Sequence, residues 1–183
     1  VAATLAFSTI ANNDKVGVIF FSDKIEKFIP AKKGKTHVLH IIRELLSFEP
    51  TSTGTDIAQA LQYFSNAQKR HCTAFLISDF IGAGAMYKPL LIASNRHEVN
   101  AIQIYDRREA ELPNVGLVKF HDAETGGDLW VDTAIASLRN NYAQAWRDNQ
   151  DEMQQLFTRT GINHISIRTD EDYVKALMHL FRC

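Results

Sequence analysis

The chemistry open to this chain rests on a few oxygen-bearing side chains at the ends of apolar runs. Asp79 closes one of them, AFLISDF at 74–80. A continuous apolar run of that length suits a strand buried on both faces of a parallel sheet. Open parallel sheets bind ligands beyond the carboxyl ends of their strands. Asp79 is therefore placed where a carboxylate could hold a cation or a partner. The same residue type caps turns and helix starts, so that reading stands beside the first. A second stretch, TSTGTD at 51–56, precedes Ile57, Ala58, Leu61, Phe64 and Ala67, which share one helical face. Thr55 is expected to be the N-cap of that helix, with Asp56 at its positive end.

The remaining polar clusters point to chemistry less directly. Asp106, Arg107 and Glu109, with Asp122 and Glu124 further on, read as turn-forming and ion-paired residues. Lys32-Lys33-Gly34-Lys35 is a basic loop without the spacing of a phosphate-cradling loop. Gly82-Ala83-Gly84 follows a strand as a dinucleotide loop does, but the third glycine position is Tyr87, and Asp79 would repel a pyrophosphate. The seven histidines are scattered, and no set of nucleophile, base and orienting group emerges. Metal-dependent phosphoryl transfer at Asp79 and nucleotide binding at 82–84 are the alternative readings. The first lacks a second carboxylate close by. Cys72 and Cys183 have no metal-ligand spacing and read as reduced thiols of a cytoplasmic protein.

The elements that must carry these residues follow from periodicity. Apolar runs predict strands at 16–21, 25–29, 73–78, 99–105 and 163–168, with a hairpin at 115–120 and 128–131. The 25–29 run alternates and is expected to be an antiparallel edge strand ended by Pro30. Helical spacing predicts an opening helix stopped at Asn12-Asn13-Asp14. Further helices are expected after Thr36, after Thr55, around Pro89 and after Thr169, with a long one after Asp132 or Thr133. Strands alternating with helices define an α/β domain with a mostly parallel sheet. The opening helix has no capping residue ahead of it, so a preceding segment is expected.

With 183 residues, 45% hydrophobic and 22% charged, the chain has the balance of one soluble domain with a full core. A net charge of −1 gives no electrostatic footprint for nucleic acid. No apolar run approaches the ~18 residues of a membrane span.

The ordered set FFSD, KKGK, TGTDIAQAL, LISDF, IYDRREAELP and DAETG resembles the bacterial family called domain of unknown function fifty-eight. The core of that family is similar to a von Willebrand factor A domain. The resemblance covers most of the chain, and the part from Thr133 onward is less diagnostic. It implies a doubly wound, mostly parallel sheet with helices on both faces, an antiparallel edge strand and an inserted hairpin. It also implies a metal-ion-dependent adhesion site with oxygen ligands from three loops. Thr55 matches the second loop and Asp79 the third. The first, Asp-x-Ser-x-Ser, occurs nowhere in the sequence, and its place would precede Val1. Mg²⁺ is thus expected in a longer protein and weakly or not at all here. The central strand would be missing too, leaving the 16–21 and 73–78 strands to find a partner in another segment, another chain or a shifted order. The function implied is a non-enzymatic adaptor that works with a MoxR-type AAA ATPase in chaperone-like maturation or assembly. Thr53, Asp56, Phe80 and Met86 would flank the metal ligands on the partner-binding surface.

Overall fold

A computed structural model describes residues 1–81, 85–121 and 127–181. The chain forms two compact units: residues 1–70 with 82–93, and residues 71–81 with 94–183.

In the first unit, α1 (Ala2–Ala11) packs on α2 (Lys35–Ser47). Between them in sequence, β1 (Val16–Phe21) and β2 (Ile25–Lys32) form an antiparallel pair. Pro30 lies inside β2 instead of ending it. The register moves from Val18↔Ile29 to Val16↔Lys32, so two residues face Gly17. A proline is tolerated at such a bulge because it owes the ladder no N–H. Gly17 is required there: a Cβ would stand 2.8 Å from the Ala31 nitrogen and the Ile29 oxygen. α3 (Ile57–Ala67) and α4 (Tyr87–Ser94) complete this unit. Its buried residues include Val38, Ile41, Ile57, Leu61 and Leu90.

The second unit is built on a parallel sheet in the order β3 (Thr73–Ser78), β4 (Glu98–Tyr105), β7 (Asn163–Arg168). Paired residues in a parallel ladder share a face. One face carries Leu76, Ala101 and His164, then Ser78, Gln103 and Ser166. The long helix α6 (Ala136–Thr160) covers it, with Trp146 against Tyr105 and Phe157 against His164. The other face carries Phe75, which meets Phe181 at the end of α7 (Tyr173–Leu180). Helices therefore lie on both faces of this sheet, as expected. A one-turn helix, α5 (Arg107–Ala110), occupies the charged run after β4. β5 (Leu117–His121) and β6 (Asp128–Asp132) form the antiparallel hairpin, starting two residues later than expected. Among the described residues, β1 pairs only with β2 and β3 only with β4.

Four expected helix caps are displaced, each for a local reason. Asp56, not Thr55, caps α3, its carboxylate accepting from the Gln59 N–H at 2.9 Å. Gly34 precedes α2 at φ 103°, a conformation Thr36 could not supply, and Thr36 falls in the first turn. The Thr133 hydroxyl accepts from the Val115 N–H and donates to the Gly116 carbonyl, clamping the base of the hairpin, and α6 starts beyond it without a side-chain cap. Thr169 donates to Asp106 across the sheet end, so the cap of α7 passes to Asp172.

Candidate functional site

Asp79 emerges at the carboxyl end of β3 on a turn whose shape is fixed from several sides. Its Oδ1 accepts from the Ile81 N–H at 3.1 Å, and the Ser78 hydroxyl accepts from the Phe80 N–H at 3.1 Å. These short side-chain-to-backbone bonds replace ladder bonds where the strand stops. Phe80 has φ 58°, a left-handed conformation that an L residue adopts at a cost of roughly 1–2 kcal/mol. The conformation is held because its ring is buried, 1% exposed, and lies edge-on to Phe157 at 5.4 Å. The consequence is an exposed Asp79 carboxylate whose Oδ2 accepts no hydrogen bond among the described residues.

In the other unit, the 51–56 loop is tied to the β1–β2 turn. The register passes from Phe20↔Lys27 to Phe21↔Ile25, which leaves Glu26 as the extra residue. Its carboxylate accepts from the Ser22 hydroxyl at 2.8 Å, the Thr51 N–H at 3.0 Å and the Thr51 hydroxyl at 2.7 Å. The bonds from Thr51, then Ser22, hold the Glu26 carboxyl below its ordinary range. The Ser22 carbonyl accepts from the Asp56 N–H at 2.8 Å, which fixes the far end of the loop. Gly54 lets the loop pass close to the Asp23 side chain, at 3.4 Å from where a Cβ would be. Thr55 is exposed, and its hydroxyl makes no hydrogen bond among the described residues.

Among the described residues, Thr55 and Asp79 each keep an oxygen without a hydrogen bond, each within its own unit. Thr53 and Asp56 are exposed, although Asp56 spends one oxygen on its cap. Phe80 and Met86 are core residues, 1% and 3% exposed. Apolar side chains next to a loop in sequence are expected at its surface, and here each is buried. Asp106 and Glu109 form a reciprocal capping box on α5, the structural role expected for them. Asp122 and Glu124 lie outside the described residues, as do 82–84. The sequence reading missed Glu26 and Gln103. Glu26 acts through a contact 25 residues away, which no local pattern reveals. Gln103 did leave a signal: a polar residue within the apolar run VNAIQIY.

A mixed α/β protein with a parallel sheet and an acidic side chain at the end of a strand is the class that this arrangement defines. Residues 1–152 match the family described as protein of unknown function DUF58, and the chain belongs to that family. Uncharacterised proteins of Mycobacterium bovis and Mycobacterium tuberculosis are 29% identical over 177 residues, covering 94% of this chain and 55% of theirs. The chain therefore spans about half the length of these curated relatives. An uncharacterised protein of Mycobacterium avium is 29% identical over 158 residues, covering 84% of this chain and 92% of its own. Among solved structures, an aerotolerance-related membrane protein from Bacteroides fragilis superposes with a TM-score of 0.60 at 16% identity, covering 100% of this chain and 87% of that one. The BatB protein from Bacteroides thetaiotaomicron gives 0.58 at 17%, covering 99% and 85%. At such identities the likeness is one of fold.

Proposed function

We propose that this chain is the non-enzymatic interaction domain of a longer protein, with a von Willebrand factor A-like fold and a divalent-cation-dependent contact centred on Asp79. The observation that carries the reading is the Asp79 carboxylate. It is exposed at the carboxyl end of a parallel strand, held by its neighbours and left with one oxygen that accepts no hydrogen bond among the described residues. The family resemblance implies Thr55 as a second ligand. Carboxylate and hydroxyl oxygens suit Mg²⁺, which takes about six oxygen ligands and keeps several waters. The Asp79 carboxylate suits such an ion but does not complete its shell. The remaining ligands come from the longer protein and from an acidic side chain of the partner. A further strand alongside β1 or β3 belongs to the same reading. Thr53 and Asp56 flank the contact. The partner implied by the family resemblance is a MoxR-type AAA ATPase, acting with this domain in the cytoplasm on the maturation or assembly of other proteins.

The test is a thermal melt of the full-length protein with and without Mg²⁺, repeated on Asp79→Ala. A ligand at ~100 times its dissociation constant adds roughly 2.7 kcal/mol. A shift seen in the wild type and lost in the variant is the expected result. Equal melts with and without the ion would remove the metal from the proposal. Capture of a MoxR-type ATPase by the wild type and by Asp79→Ala alike would remove Asp79 from the interface.

A further inference from the structure

Gln103 is a long polar side chain in the central strand of a three-stranded parallel sheet, 1% exposed. Its ladder neighbours are Ser78 on β3 and Ser166 on β7, so a polar row crosses the sheet at its carboxyl end. The row is connected. The Ser166 hydroxyl donates to Gln103 Oε1 at 2.7 Å, and Gln103 Nε2 donates to the Asp79 carbonyl at 3.2 Å. The orientation of the amide follows from chemistry: a backbone carbonyl can only accept, so the NH₂ must face Asp79. On the other side of the same peptide lies Phe80, held at positive φ by its buried ring and by the Ser78 hydroxyl.

We infer that Gln103 is a positioning residue for Asp79. It holds the carbonyl end of the Asp79–Phe80 peptide, while the Ser78 hydroxyl accepts from the N–H end of the same peptide. The backbone that carries the carboxylate is thereby fixed at both ends. A buried amide in this place is costly as mere packing, because its polar atoms need partners. The partners it has are those that orient the turn. A leucine or methionine would fill the volume and leave the Asp79 carbonyl without its donor. The inference rests on the reading that Asp79 is the working carboxylate, and it concerns how that group is aimed.

The experiment is amide NMR on the full-length protein, comparing wild type with Gln103→Met and Ser166→Ala. Ser166 is exposed, so its variant tests the row without altering the core. Two signals are read. The amide proton shifts of Phe80 and Ile81 report the hydrogen bonds they give to Ser78 and Asp79, and hydrogen exchange at both positions reports opening of the turn. In Gln103→Met the exchange protection at both positions should fall by up to about tenfold, the factor that one net hydrogen bond represents. Both amide proton shifts should move upfield as those hydrogen bonds loosen. Ser166→Ala should move both signals the same way by less, and the amides of Ala101 and Ile165 should not change. Wild-type behaviour at residues 80 and 81 in both variants would overturn the inference. So would loss of protection spread equally over Ala101 and Ile165 in Ser166→Ala, because that is general destabilisation. A Mg²⁺ titration in the same tubes separates the two readings. No ion effect in the wild type counts against the metal contact, whereas the exchange data alone decide the role of Gln103.

Discussion

Substituting Phe80 separates two opposed terms at one residue. The ring is 1% exposed and packed at 5.4 Å against Phe157, so Phe80→Ala removes a buried aromatic. Such truncations cost about 3–5 kcal/mol. The backbone adds a second term, because φ is 58° and alanine keeps the left-handed penalty of roughly 1–2 kcal/mol. Glycine escapes that penalty but loses about 0.5–1 kcal/mol more in chain entropy. The difference leaves Phe80→Gly the more stable of the two, by up to about 1.5 kcal/mol. That reverses the order found in helices and strands. At roughly 2–4 °C per kcal/mol for a protein of this size, Phe80→Ala should melt about 6–20 °C below wild type. Phe80→Gly should recover a few degrees of that loss. The assay is urea denaturation followed by tryptophan fluorescence, with a thermal melt beside it. A glycine variant less stable than the alanine variant would refute the conformational argument. A loss below about 1 kcal/mol in both would refute the packing argument.

Three further substitutions test the scaffold. Gly17→Ala should destabilise by about 1–3 kcal/mol in the same urea assay, since the new methyl meets backbone atoms of β2 at 2.8 Å. The carboxyl of Glu26 is held below its ordinary value of 4.5 by Thr51 and Ser22, so its contribution is present above that value and is lost as pH falls through the lower folded-state value. Glu26→Gln should flatten the acid limb of the stability curve below about pH 4.5, and an unchanged limb would show that the loop is held otherwise. His164 is pushed below 6.5 by burial, so the unfolded chain binds the proton more readily and stability drops as pH falls from 6.5. His164→Phe should reduce that slope below about pH 6.5, which melts at half-unit steps would detect.

Much of this architecture is legible before any coordinates. The runs at 16–21 and 73–78 recur at the same residues, because a short apolar run bounded by polar residues is a local signal and needs no long-range information. The stop at Asn12 and the glycine after α6 are read as easily, since turn chemistry is local. Asp79 is legible for the same reason: it is the first charge after an apolar run. The caps are harder. Thr55 and Asp56 are both capping residues one position apart, and the choice depends on the Ser22 carbonyl holding the Asp56 N–H. Thr133 and Thr169 look like caps, but each hydroxyl is taken by a residue distant in sequence, Gly116 and Asp106. Phe80 and Met86 were placed outward for being near a loop, and only packing shows that they face inward. The Glu26 and Gln103 networks depend on register, which sequence periodicity does not give.

The route of the chain through its two units has a consequence for synthesis. Residues 71–81 belong to the second unit, residues 82–93 return to the first, and the rest of the chain lies in the second. No single cut releases either unit whole. A fragment ending at Arg70 lacks Leu90 and Met86, both buried in the intact chain, and is expected to stay soft until they are added. On the ribosome β3 emerges before its partner β4, and β4 waits for β7 until the 25-residue α6 has been made. The apolar strand TAFLIS therefore lacks its ladder until β4 follows, a window in which a nascent chain aggregates or recruits a chaperone.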